Sequence, residues 1–157
     1  MEGTGRIFRL EGLREPQKGR QSKTGQVKHS KVVGETIGIV VVNCRSCVGK
    51  EPELQALIES TEAQIVVGTE SWLKPEISSA EIFSNDLTVF RKDRLNTVGG
   101  GVFIAVRGGL PCRETEVDRS CEIVCIEVIP DNRTKLLIGA FYRPSDSFQI
   151  STSLIQL

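Results

Sequence analysis

Two continuous apolar runs, separated by one short amphipathic segment, constrain the fold more than any other feature of the sequence. The runs are Ile37–Asn43 and Ile65–Thr69, and both are rich in β-branched residues. Apolar runs without polar alternation are typical of strands that are covered on both faces of a sheet. Between them, apolar residues recur at helical spacing after Pro52, which predicts a helix over residues 52–61. This order predicts a βαβ unit with a parallel pair of strands.

The remainder of the sequence predicts mainly strands. Apolar runs at 87–90, 102–106, 121–129 and 135–142 fit strand patterns, and the Pro, Asp and Asn residues in 130–134 favour a reversal between the last two. We therefore predict an α/β fold that contains a mixed β-sheet.

The first 35 residues differ in charge and hydropathy from the rest. Residues 1–35 carry eight Lys and Arg residues against four Asp and Glu residues, whereas the whole chain has a formal net charge of zero. Because large apolar residues are few and scattered, we predict a flexible basic leader over 1–35, a folded part over 36–146 and a short tail over 147–157. The leader could contact nucleic acid through phosphate groups, or it could be a solvated tail without a specific partner.

Composition excludes several classes of protein. With 39% hydrophobic and 25% charged residues, the chain resembles an ordinary globular protein. Its longest apolar run is far shorter than the ~20 residues of a transmembrane helix, and no secretory signal is recognisable, so we expect an intracellular protein. The five cysteines include one C-x-x-C pair, Cys44 and Cys47, with no second pair at metal-binding spacing, and the single histidine is His29. We therefore predict reduced thiols without a zinc site or a disulfide framework.

Polar side chains follow three of the predicted strands where each strand ends. Asn43 ends the first, Glu70 follows the second, and Tyr142 and Arg143 follow the last. Ligand sites in open α/β sheets lie at the carboxyl ends of strands, so these side chains are candidates for one site. Carboxylate and amide oxygens suit Mg²⁺, and Tyr and Arg can position or neutralise a phosphate. Taken singly, each residue also fits a simpler role as a strand terminator, a solvated loop residue or an aromatic anchor.

Four short motifs follow one another in a fixed order along the chain. They are Asn43-Cys-Arg-Ser46, Glu70-Ser-Trp-Leu73, Arg91-Lys-Asp-Arg94 with Gly99-Gly-Gly-Val102, and Tyr142-Arg-Pro144. From about residue 37 to residue 146, this series resembles the endonuclease domain of LINE-type, non-LTR retrotransposons. That domain belongs to the endonuclease/exonuclease/phosphatase superfamily, which includes the apurinic/apyrimidinic endonucleases.

The resemblance implies a fold, an activity and a set of site residues. The fold would be the N-terminal part of a four-layered α/β sandwich with mixed sheets, and the activity Mg²⁺-dependent cleavage of a DNA phosphodiester by an activated water. Glu70 would be the principal metal-binding carboxylate, Asn43 would line the metal and phosphate site, and Tyr142 would hydrogen-bond the scissile phosphate or its surroundings. Arg143 would contact the phosphate or support the site electrostatically. A functional retroelement nuclease would be nuclear.

The sequence also departs from the family pattern. Family members carry an Asp-x-Asn pair with the water-activating Asp, and a terminal Ser-Asp-His, after the Tyr-Arg-Pro motif, and neither is present here. We therefore expect a truncated domain with little or no activity, whose exposed core needs the missing half or a protein partner. The alternative is a non-enzymatic remnant that binds nucleic acid or protein.

Overall fold

The computed structural model describes residues 5–10, 36–95, 97–117, 121–131 and 134–143. Most of the predicted basic leader, with His29, lies outside the described residues, as does the predicted tail over 147–157.

The described chain forms two β-sheets and two helices. In chain order the elements are β1 (Gly5–Leu10), β2 (Ile37–Asn43), α1 (Glu51–Thr61), β3 (Ile65–Thr69), α2 (Ser79–Ile82), β4 (Leu87–Lys92), β5 (Val102–Arg107), β6 (Cys112–Thr115), β7 (Ile123–Asp131) and β8 (Thr134–Phe141). Sheet A has the strand order β1-β2-β3-β5-β4, and sheet B has the order β6-β7-β8. Sheet A is mixed, because β2 and β3 are parallel while β3 and β5 are antiparallel.

The predicted βαβ unit is confirmed by the parallel pairing of β2 and β3 on either side of α1. A proline lies in the first turn of α1, where its missing N–H group leaves no hydrogen bond unmade. Leu54 and Ile58, four residues apart, are both buried and fix the inner face of the helix. The helix ends at Glu62, which adopts a left-handed conformation with φ of 50°.

Sheet A is buried on both faces, which explains why its central strands lack polar alternation. One face packs against the two helices, in a cluster that includes Val40, Val66, Phe103, Leu54, Ile58 and Phe83. The other face packs against sheet B, in a cluster that includes Ile65, Val67, Ile104, Val124, Ile126 and Val128. The described residues therefore form three layers, with helices, sheet A and sheet B in that order.

The prediction of a four-layered α/β sandwich is wrong for this structure. Strands make up 45% of it and helices only 14%. Beyond β3, each strand pairs antiparallel with its neighbour, and antiparallel pairs do not need the helical crossover that parallel pairs need. No helix among the described residues covers the outer face of sheet B, where Leu137 is 71% exposed. The described helices are also too short or too polar to span a bilayer.

Strand β1 lies inside the segment predicted as a flexible leader. It pairs antiparallel with β2 over six residue pairs, from Gly5 opposite Val42 to Leu10 opposite Ile37. Its apolar side chains, Ile7 and Phe8, are about half exposed. Backbone pairing rather than burial therefore holds this strand, and a sequence pattern based on burial does not reveal it.

Candidate functional site

The candidate site begins where the two parallel strands end. Asn43 is the last residue of β2 and lies opposite Thr69, the last residue of β3, so Asn43 and Glu70 leave the sheet side by side. The Asn43 Nδ2 atom donates a hydrogen bond to the Glu70 Oε1 atom at 3.1 Å. The parallel register thus brings together the first two of the predicted site residues.

Tyr142 reaches the same place from the other sheet. It directly follows β8, and its backbone N–H group donates to the carbonyl oxygen of Glu122 at 3.1 Å. Burial, followed by the negative charge of Glu70 and a hydrogen bond to that carboxylate, raises the pKa of the Tyr142 phenol. The phenol therefore keeps its proton and interacts with the Glu70 carboxylate. The structure thus brings Asn43, Glu70 and Tyr142 together.

The backbone at Glu70 is strained. Glu70 and Trp72 have φ values of 52° and 56°, in the left-handed region that non-glycine residues rarely adopt. Ser71 between them is fully buried, and its N–H group donates to the Gly101 carbonyl oxygen at 3.2 Å. Gly101 has φ of 80°, and a Cβ atom there would overlap the Ser71 hydroxyl, so only glycine fits. Strain held in place by such contacts is typical of functional positions.

The loop of residues 44–47 follows β2 and extends the pairing of β2 with β3 beyond the sheet. The N–H groups of Cys44, Ser46 and Cys47 donate to the carbonyl oxygens of residues 69, 70 and 71 at 2.9, 2.9 and 2.8 Å. Lys50 Nζ holds the loop from its other side by donating to two of its carbonyl oxygens. A cavity of about 420 Å³ opens beside this loop and is lined by Asn43, among others.

The two cysteines of this loop are thiols in contact with each other. Interaction with the Cys47 sulfur, followed by burial, raises the pKa of the Cys44 thiol far above its usual range. The same interaction lowers the pKa of Cys47, since it stabilises the thiolate form. Both side chains line the 420 Å³ cavity.

An ion pair also contacts the ring of Tyr142. The Arg94 guanidinium is paired with Glu122 and lies 5.5 Å from the centre of the Tyr142 ring, within the range of a cation–π contact. The second carboxylate oxygen of Glu122 accepts a hydrogen bond from the Gly101 N–H group at 2.8 Å. Sequence reasoning missed Glu122, because it belongs to none of the four motifs.

The Arg-Lys-Asp-Arg motif forms ion pairs in the structure. The largely buried side chains of Arg91 and Asp93 form an ion pair at 3.1 Å. Burial raises the pKa of Asp93, against the opposing effect of Arg91. Arg143, the weaker predicted phosphate ligand, is exposed next to Tyr142. The motif thus stabilises the loops around the site, while Arg143 lies at its solvent side.

The oxygen atoms at the site fit a weakly held Mg²⁺ ion. Glu70 supplies a carboxylate, and the Oδ1 atom of Asn43, which accepts a 3.2 Å hydrogen bond from the Arg45 N–H group, retains a second lone pair. Mg²⁺ is commonly held by one or two carboxylates, with water and substrate phosphate as its other ligands. Within the described ranges, no group of three or more His, Cys, Asp or Glu side chains is arranged around a metal position. The Glu70 carboxylate and the Asn43 amide are thus the two side chains that could offer oxygen ligands to a cation at this site.

Comparison with known proteins adds no family to this description. A scan against protein-family models and a search of the curated proteins both give no match. The convergence of Asn43, Glu70 and Tyr142 is therefore the observation from which a function is proposed.

Proposed function

We propose that this chain carries part of a Mg²⁺-dependent phosphodiesterase site that acts on DNA, as in the LINE-type endonucleases that its motifs resemble. The observation that supports the proposal is the contact of Glu70 with both Asn43 and Tyr142, which come from three strands of two sheets. If Asn43 only ended a strand, Glu70 were only a solvated loop residue and Tyr142 only an aromatic anchor, nothing would require the three side chains to converge. A shared site for a metal ion and a phosphate would explain why they converge.

Each residue has a distinct part in the proposed site. Glu70 would hold the cation, with the Asn43 amide oxygen beside it. When bound, Mg²⁺ would reduce the negative charge of the phosphate and orient it. Tyr142 keeps its one hydroxyl proton because its pKa is raised, and when Glu70 holds the cation that proton would be donated to a phosphate oxygen instead of to Glu70. Arg143, exposed beside it, adds positive charge on the approach from solvent.

The described residues contain no histidine that could serve as a general base at this site. The only histidine of the chain, His29, lies outside the described residues and within the predicted leader. Since a positioned base typically contributes about 10²–10⁴-fold to a rate, we expect turnover by this chain alone to be slow or undetectable. Binding of metal and DNA is therefore a more direct test than cleavage.

The first test measures binding of Mn²⁺, as a paramagnetic substitute for Mg²⁺, by electron paramagnetic resonance of the free ion. We expect wild type to bind one ion and Glu70→Gln to bind it at least about tenfold more weakly, since even changes around a metal ligand cost about 10–100-fold. Glu114→Gln, an exposed carboxylate on β6, is the matched control and should bind like wild type. Equal binding by Glu70→Gln and wild type would exclude Glu70 as the ligand.

The second test separates the nuclease proposal from a non-enzymatic remnant that only binds nucleic acid. Binding to a short DNA duplex is measured with and without Mg²⁺, and nicking of supercoiled plasmid is followed in parallel. We expect Mg²⁺ to tighten DNA binding by wild type and not by Glu70→Gln. Equal, metal-independent binding by both proteins, with a steep salt dependence, would favour the remnant.

A further inference from the structure

The C-x-x-C pair has no part in the proposed function, yet it lies one residue from Asn43. The Cys44 and Cys47 thiols interact with each other, and both residues belong to one loop that lines the 420 Å³ cavity. Cys47 itself is 1% exposed, so the cavity is its route of access to small molecules. Hydrogen peroxide is close to water in size and can enter a cavity of this volume.

The backbone joins this pair directly to the candidate site. Ser46, which lies between the two cysteines, donates its N–H group to the carbonyl oxygen of Glu70 at 2.9 Å. Cys44 and Cys47 make the equivalent bonds to the residues on either side of Glu70. Movement of the 44–47 loop therefore changes the support of the Glu70 backbone.

The conformation between the two cysteines is that of separate thiols. Arg45 and Ser46 both have positive φ, at 46° and 86°. A disulfide requires the sulfur atoms to approach to about 2.05 Å, with a Cβ–S–S–Cβ dihedral near about ±90°. Since only two residues, both in the left-handed region, separate the cysteines, we expect the backbone between them to take part in that change.

We propose that Cys44 and Cys47 are a reversible oxidation site, in which peroxide closes a disulfide that displaces the backbone at Glu70. One sulfur, as thiolate, attacks a peroxide oxygen, the O–O bond breaks, and a sulfenic acid and one water form. The other sulfur then attacks the sulfenic sulfur, the S–S bond forms, and a second water leaves. The two thiols lose two electrons and two protons in total, and the peroxide is reduced to water. A dithiol reductant reverses the step by thiol–disulfide exchange.

The other cysteines serve as reference thiols within the same chain. In sheet B, Cys112 lies opposite Val128, and Cys125 lies opposite Thr115 and Gly139. Neither of them faces another cysteine across a strand pair. A general reaction with peroxide would therefore modify these thiols without linking them.

The sequence provides a direct test of the linkage. Trypsin cleaves after Arg45, between the two cysteines, and so separates residues 32–45 from residues 46–50. The full chain is treated with hydrogen peroxide, alkylated, digested and analysed by mass spectrometry. We expect the two peptides to remain joined and to separate after dithiothreitol, also when Cys112, Cys121 and Cys125 are replaced by serine. Alkylation of both thiols after a peroxide dose that oxidises Cys112 or Cys125 would overturn the proposal.

The displacement of the Glu70 backbone has its own test. Trp72 is the only tryptophan, two residues from Glu70 and 39% exposed, so its fluorescence reports on this segment alone. We expect peroxide to shift its emission, dithiothreitol to reverse the shift, and Cys44→Ser and Cys47→Ala to abolish it. A linked disulfide with unchanged emission would show that the bond closes without moving the segment, which would overturn the second half of the proposal.

The consequence for metal binding rests on the proposed function. We expect the oxidised chain to bind Mn²⁺ about tenfold more weakly than the reduced chain, the size of effect seen when the surroundings of a ligand change. If the reduced chain binds no Mn²⁺, the proposed function fails, while the peptide linkage and the Trp72 emission still decide the oxidation proposal.

Discussion

Glu70 connects the two sheets through its side chain. It accepts a hydrogen bond from Asn43 at the end of β2 and interacts with the Tyr142 phenol after β8, while its own backbone is held in a left-handed conformation. A carboxylate placed between two donors at the cost of backbone strain needs a compensating role, and cation binding is one that suits its chemistry.

The contact between Tyr142 and Glu70 can be tested by titration of the phenol. Tyr142 is the only tyrosine, so the near-ultraviolet absorbance of the phenolate reports on it alone. We expect a midpoint above the ordinary value of 10.0, and a lower midpoint in Glu70→Gln, because the negative charge and the hydrogen bond are removed. Burial is the largest cause of the raised pKa, so the midpoint of Glu70→Gln should still exceed 10.0. Identical midpoints in the two proteins would show that the side chains are not in contact in solution.

The same raised pKa makes stability depend on pH in the alkaline range. Above the unfolded pKa of about 10, the folded state binds more protons at Tyr142 than the unfolded state, so the free energy of unfolding falls as pH rises through this range. Below that range both states are protonated and the contribution is fully present. Urea denaturation at a series of pH values should show this decline in wild type and a smaller one in Tyr142→Phe. An equal decline in both would assign it to other groups.

The grouping of the site residues could be predicted from the sequence, but the residues that support them could not. Asn43, Glu70 and Tyr142 follow apolar runs that identify strand ends, and strand ends converge. Glu122 and Arg94 support Tyr142 through an ion pair between two loops, and no local pattern encodes such a pair. The Arg94 motif was visible in the sequence, but its role as a structural ion pair needed the fold.

Strand β3 carries the most restrictive packing position among the elements. Gly68 lies opposite Phe103 of β5, and a Cβ atom at Gly68 would overlap the phenyl ring. The ring thus covers the glycine and fills the space of the missing side chain.

Replacement of that glycine should destabilise the protein. We expect Gly68→Ala to lower the free energy of unfolding by about 1–3 kcal/mol, the usual cost of overpacking a core, as measured by chemical denaturation. Gly139→Ala in β8 is the matched control, because its Cβ atom would meet the Cys125 thiol at 3.2 Å and the Val124 carbonyl oxygen only at ordinary contact distance, 3.9 Å. A cost for Gly68→Ala no greater than that for Gly139→Ala would contradict the packing described here.

At the level of elements, the sequence predicts strongly buried strands and fails for exposed ones. The runs that form β2, β3 and β5 are covered on both faces, so their composition alone identifies them. Strands β1 and β6 were not predicted, because most of their described side chains are exposed or only partly buried and leave no apolar run. The prediction of a four-layered arrangement was wrong for another reason. It was based on the family resemblance and not on helical periodicity in this chain that would supply the outer helices.

The outer face of sheet B leaves large apolar side chains exposed among the described residues. Leu137 and Phe141, both on β8, are 71% and 52% exposed. On the opposite face of the same strand, Leu136 packs against the core between the two sheets. That a partner or further chain covers the outer face remains a prediction.

This alternation predicts opposite effects for two adjacent substitutions. We expect Leu137→Glu to change the free energy of unfolding by less than about 0.5 kcal/mol and to reduce self-association, measured by sedimentation velocity. Leu136→Glu should cost about 2 kcal/mol or more, because it places a charge against the core. A large loss of stability in Leu137→Glu would mean that the face is covered within the folded monomer.

Strand β1 has a consequence for any shortened form of the protein. Strand β1 pairs with β2 along its whole length and is an edge strand of sheet A. The strand that ends in Asn43 is therefore an interior strand. A polypeptide starting at Thr36 would have a long, β-branched and unpaired border in its place, and such a border is a template for another copy of the same chain. Removal of the amino-terminal residues to shorten the protein would thus expose the β2 edge of sheet A and promote aggregation through strand pairing.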